Sequence, residues 1–181
     1  SVVETLEKRV RELIETLERL IERLDRENKR VAEEIKRLLD EHDKTNKEIV
    51  ERIRDIKRRE GTDERVRTEI EELLRRLEAH VRELKKTIED LLRKLKEMHD
   101  RLREEIRRLL EEARKELEDL RKDIDSRVLR KLEEELRKLE EKLRKLLKDS
   151  EDHLREVLER AKRVLDDSRR HVDEVRREAE E

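Results

Sequence analysis

A stripe of apolar residues that returns every eighteenth position, and changes phase only twice, leaves this chain little to fold into except long helices. Its first third reads Leu13, Val31, Ile49 in one series, Leu17, Ile35, Ile53 in a second and Val2, Leu20, Leu38, Ile56 in a third. Eighteen residues make about five turns of 3.6, so the stripe keeps one azimuth along a straight helix. A heptad stripe would drift by about 20° per repeat and wind the helices into a supercoil. The expectation is therefore a straight, nearly untwisted bundle.

The first phase change follows Ile56, where the pattern asks for apolar side chains and meets Glu60, Glu64, Arg67 and Glu71. It falls on Glu60-Gly61-Thr62-Asp63, where the only glycine suits a left-handed helix C-terminus and Thr62 or Asp63 suits the next N-cap. A second set then runs Val66, Leu84, Leu102, Leu120 beside Ile70, Ile88, Ile106, Ile124. It lapses at Lys131, Glu135, Lys138 and Lys142, which places the second turn near Asp125 or Ser126. The third set reads Val128, Leu146, Val164 beside Leu136, Leu154, Val172. Polar clusters at residues 41–46 and 148–152 leave the register unshifted, so helices are expected to run through them. Three helices follow, at about 2–60, 63–124 and 126–180, each about 85 to 90 Å long at 1.5 Å per residue. Short connections make neighbours antiparallel, giving one all-α domain, an up-down-up three-helix bundle.

Composition narrows the function. Lys and Arg number 52 against 54 Asp and Glu, and the two signs interleave. Such a surface offers no basic face to a phosphate backbone, and without aromatic residues there is no stacking platform, so nucleic acid is not an expected partner. The absence of cysteine removes disulfides, thiolate nucleophiles and Cys-based metal sites. No window approaches the roughly 18 apolar residues of a membrane span, and Ser1-Val2-Val3-Glu4 does not read as a signal peptide. A soluble chain is expected, without stable membrane insertion at neutral pH and without a targeting signal.

The repeat also marks its own exceptions. Val10 gives way to Asn28 and Asn46, Leu6 and Leu24 to His42, and Leu132 to Ser150 and Ser168. Folding the chain back at Gly61 and again near Asp125 sets these exceptions opposite one another. One layer is expected to gather Asn46, His80, Ser168 and His171, with His42 a turn away. The other gathers Asn28, His99, Ser150 and His153. On a helical wheel His80, His153 and His171 lie at the edge of the stripe and the others within it. Asn, neutral His and Ser carry both donors and acceptors, so each layer has the means to satisfy itself.

Polar layers of this kind are expected to fix register, because a uniform Leu stripe tolerates slipped packings and a slipped Asn or His is buried without a partner. A second reading is a pH response, since protonating a buried imidazole places charge in an apolar layer. For His153 and His171, Asp149 and Asp167 four residues earlier offer partners to the cation. A third reading is zinc held by His42, His80 and His171, although no inward Glu-x-x-His pairs accompany them. A haem would require Gly or Ala clearance that the stripe lacks. No cofactor, metal or partner is required, and no nucleophile, base and orienting group meet beside a pocket, so an enzyme is not expected.

Unbroken repeats of eighteen, the Glu-Gly-Thr-Asp turn, the aromatic-free Leu/Ile/Val stripe and the Asn/His/Ser layers together resemble a parametrically designed helical bundle with engineered hydrogen-bond networks. Spectrin-like repeats are less regular and usually carry a core Trp, and exchangeable apolipoproteins are punctuated by Pro. The resemblance implies a synthetic scaffold without a biological substrate, either a monomer or a domain-swapped dimer. Its rival is a His-driven switch that exposes Leu stripes to membranes in acid.

Overall fold

A computed structural model describes residues 2–61, 63–122 and 126–180, with the side chains of Val2, Val3, Leu6 and Ser126 outside that description. The expectations for Thr62, Ile124 and Asp125, and for the side chains of Val2, Leu6 and Ser126, therefore fall outside the described residues. Among the described residues the fold is three helices: α1 Val2–Glu60, α2 Glu64–Leu120 and α3 Ser126–Glu180. Leu, Glu, Lys and Arg supply most of each helix and are strong helix formers, while the single glycine sits outside all three.

The first turn follows from local chemistry. Gly61 has φ 84°, a left-handed conformation that a Cβ would disfavour, so glycine belongs at this helix end. Asp63 starts α2: its Oδ1 accepts from the Val66 amide at 3.0 Å, and its carbonyl accepts from the Arg67 amide at 3.1 Å. A side chain bonded to the third helical amide is the geometry of an N-cap. The end of α2 differs from the expected boundary near 124. The Arg121 amide is shared between the carbonyls of Leu117 and Glu118, at 3.1 and 3.2 Å, and regular helix stops at Leu120. Apolar spacing says where a side chain would point, not where backbone bonding stops.

The chain packs as two compact units, each fed by all three helices. The first comprises Ser1–Arg30 with Lys94–His153, and the second Val31–Arg93 with Leu154–Glu181. In the first, Val10, Ile14, Leu17 and Ile21 of α1 close over Ile106, Ala113, Leu117, Leu120 and Leu129, Leu132, Leu136, Leu139. In the second, Val50 and Ile53 meet Val66, Ile70, Leu73, Leu74, Leu77 and Val172, Val175. Burial of these side chains, at about 1.5 to 3 kcal/mol for each large one, is the main force holding helices that are otherwise 59% charged chain.

Ion pairs along the flanks record helix direction. In the first unit, as the α2 arginine advances from Arg103 to Arg114 to Arg121, its α3 partner retreats from Glu151 to Glu140 to Glu133. The two helices run oppositely there. In the second unit, Asp40 pairs with Arg160 and Arg54 with Glu178, so α1 and α3 advance together. Arg176 bonds both Glu71 at 3.2 Å and Glu78 at 2.5 Å, tying α3 to α2. Such half-exposed pairs add only about 0 to 1 kcal/mol each, so they set direction more than stability. No described helix is long and apolar enough to cross a membrane.

Candidate functional site: two buried polar layers

Each unit holds one polar layer, built where the eighteen-residue stripe substitutes a polar residue for an apolar one. Because the substituted positions keep the azimuth of Val10, Leu24 and Leu132, the backbone delivers Asn28, Asn46, His42, Ser150 and Ser168 into the core, where all five are buried. His99 occupies the α2 position between Val81 and Leu117 in the same repeat and is buried as well.

In the first unit the layer is a relay. His99 Nε2 donates to Asn28 Oδ1, and Asn28 Nδ2 donates to Ser150 Oγ at 2.6 Å. One amide therefore joins α2 to α1 and α1 to α3. Its oxygen and its nitrogen are both used, and no buried side-chain atom of these three residues is without a partner. Burial is the largest influence on the His99 imidazole and holds its pKa below the ordinary value. Arg103 on its own helix pushes the same way, while Asp100 and Glu151 of α3 oppose it. His153 is half-buried, and no hydrogen bond joins it to these three.

The second unit uses the same residue types with the opposite polarity. Asn46 Nδ2 donates to His42 Nε2 at 2.9 Å and to Ser168 Oγ at 3.2 Å, and the Ser168 hydroxyl lies 2.8 Å from the same imidazole nitrogen. With the amide turned this way, His42 Nε2 is an acceptor and the ring proton sits on Nδ1. That Nδ1, Asn46 Oδ1 and His80 Nε2 are all buried without a hydrogen-bond partner. His80 reaches the layer through its ring face, stacked on His42 with centroids 4.9 Å apart and planes 16° from parallel. His42 is 1% exposed, and its pKa is lowered to about 4, first by burial and then by the neighbouring His80; Asp43 opposes both.

His171 lies apart from these groups. It is half-buried, with Nδ1 3.9 Å from Glu174 Oε2, and Asp167 is held instead by Arg170. Among the described residues no three His, Asp or Glu groups gather to hold a metal ion. The geometry of His42 and His80 explains why they form no such group. Imidazole lone pairs lie in the ring plane, so two stacked rings direct their nitrogens side by side rather than toward one point.

Spacing sets His42 a turn away from the Ser168 layer, and their direct 2.8 Å contact, a separation compatible with a nucleophile and its base, is new. Two features withhold catalysis from it. The residues are 1% and 6% exposed, out of reach of a substrate, and the His42 Nδ1 that would need an orienting acceptor has none.

No protein-family model and no curated protein matches the sequence. Among solved structures, one described as "Computationally designed three helix bundle" matches with a TM-score of 0.54 and 25% identity, over 98% of this chain and 84% of that one. The chain shares the three-helix-bundle fold. In such a bundle a buried Asn/His/Ser group is a bonding element between helices, and both layers here hydrogen-bond across them.

Proposed function

We propose that this bundle is a structural scaffold without natural activity, and that its two polar layers fix the register of α1 against α3. One observation carries this reading: Asn28 bonds Ser150, and Asn46 and His42 bond Ser168, so each layer directly joins the two helices that no turn connects. A shift of α3 by one repeat would set Leu132 in place of Ser150 against Asn28, burying an amide with no partner at a cost of about 1 to 3 kcal/mol. The protein is a monomer in this reading, needs no cofactor and catalyses nothing. The test replaces both layers by their apolar repeat mates and measures the distance between spin labels at positions 40 and 160. The parent gives one narrow distribution and the apolar variant a broad one. An equally narrow distribution in both would remove the register role.

A second reading, a response to acid, is favoured by the His42–His80 stack. A base whose folded pKa is depressed stabilises the fold fully above its unfolded value near 6.5, and that stability is lost as pH falls toward about 4. At about 1.36 kcal/mol per pH unit, the loss reaches about 2 to 3 kcal/mol by pH 4.5. Denaturant midpoints at pH 7.5 and 4.5 are expected to differ accordingly, with the acid midpoint lower. Coincident midpoints would end this reading, and with it membrane activity in acid, which liposome leakage at pH 5 against pH 7 would otherwise report. Because the His42 and His80 rings stack rather than converge, added zinc is expected to leave thermal stability unchanged, and a rise would revive the zinc reading for His42, His80 and His171.

A further inference from the structure

The two layers share a composition but differ in which way their histidines bond, and the difference has a consequence in acid. His99 Nε2 is a donor, so a second proton enters at Nδ1 and leaves the bond to Asn28 Oδ1 in place, strengthened by the charge. His42 Nε2 is an acceptor, so a second proton enters at Nε2 itself, between the Asn46 amide hydrogens and the Ser168 hydroxyl. The Ser168 hydroxyl can rotate to accept from it, but the Asn46 amide then faces it donor to donor. That amide must turn over before the contact can close again, and His80 stacked on the other side disfavours the added charge.

We propose that acid opens the second unit while the first stays folded, because the buried imidazole of one layer accepts its hydrogen bond and that of the other donates it. This rests on the acid-response reading and localises it. The groups facing His42 are few: Asp43 from α1, which favours the cation; His80 from α2, which disfavours it; and from α3 the uncharged Ser168 hydroxyl. Those facing His99 are more numerous: burial and Arg103 keep its pKa lowered, while Asp100 beside it on α2 and Glu151 from α3 oppose them, and the Asn28 oxygen from α1 accepts its hydrogen bond. The three unpartnered atoms all belong to the second unit, so that layer starts from weaker bonding even before protonation.

Native-state hydrogen exchange on the full chain tests the proposal without any substitution. After correction for intrinsic rates, the opening equilibrium of amides in residues 35–53, 70–84 and 161–175 is expected to rise about 50-fold between pH 7.5 and 4.5, the scale set by the depressed His42 pKa. Amides in residues 10–24, 102–117 and 132–146 are expected to change by less than about threefold. A common rise in both sets overturns the localisation while leaving the acid response standing. No rise in either overturns both. Nitrogen-15 shifts of the imidazoles at pH 7.5 test the premise directly: His42 is expected as the Nδ1–H tautomer and His99 as the Nε2–H tautomer, and a shared tautomer overturns the proposal.

Discussion

Replacing Asn28 with valine is expected to destabilise the bundle by about 2 to 5 kcal/mol, although valine is the residue the repeat itself places at position 10. The side chain would fit and the core would gain apolar surface. What is lost is the only amide whose two ends are both engaged. His99 Nε2–H would keep its proton with no acceptor, and the Ser150 hydroxyl would lose its donor at 2.6 Å. Each buried group left unpaired costs about 1 to 3 kcal/mol, more than the gain from two extra buried methyl groups. Guanidinium denaturation should show a lower midpoint at unchanged slope. Adding His99→Leu and Ser150→Leu, the residues at repeat positions 117 and 132, should restore most of the loss, because it removes the orphaned partners too. A single variant as stable as its parent would show that the relay contributes nothing.

That prediction is possible because the repeat identifies both the exception and its apolar alternative. The same regularity made the helices legible: the phase changes at Glu60 to Asp63 and after Ile124 fall between helices, although α2 ends sooner, at Leu120, and the polar clusters at residues 41–46 and 148–152 lie within helix. What spacing could not supply is side-chain torsion. Asn28 and Asn46 share an azimuth, yet one turns its oxygen to a histidine and the other its nitrogen. Edge positions have the same freedom in a cruder form. His80 turns inward onto His42, while His171 lies beside Glu174 and Arg170 takes the Asp167 that sequence offered it. On the surface, Glu7 pairs with Arg11 four residues on, at 3.1 Å. Arg37 pairs with Glu41 at the same spacing and also reaches back three residues to Glu34, because a guanidinium has donors for both.

The second layer is expected to behave in the opposite way when it is removed whole. Substituting His42→Leu, Asn46→Val, His80→Met and Ser168→Leu takes each residue from its repeat mate at Leu24, Val10, Met98 and Leu132. These changes erase the three hydrogen-bond contacts around His42, worth about 0.5 to 1.5 kcal/mol each, together with three unpartnered buried atoms that cost about 1 to 3 kcal/mol each. Apolar surface replaces both. The balance favours the variant by about 2 to 5 kcal/mol, in the direction generally found when buried polar groups give way to well-packed hydrophobic ones. The guanidinium midpoint should rise, and the difference in exchange between pH 7.5 and 4.5 should vanish from residues 35–53, since no imidazole remains there to protonate. A variant less stable than the parent would mean that the unpartnered atoms of His42, Asn46 and His80 are satisfied in solution. Two layers of like composition would then be alike in energy, and the contrast between the two units would disappear with them.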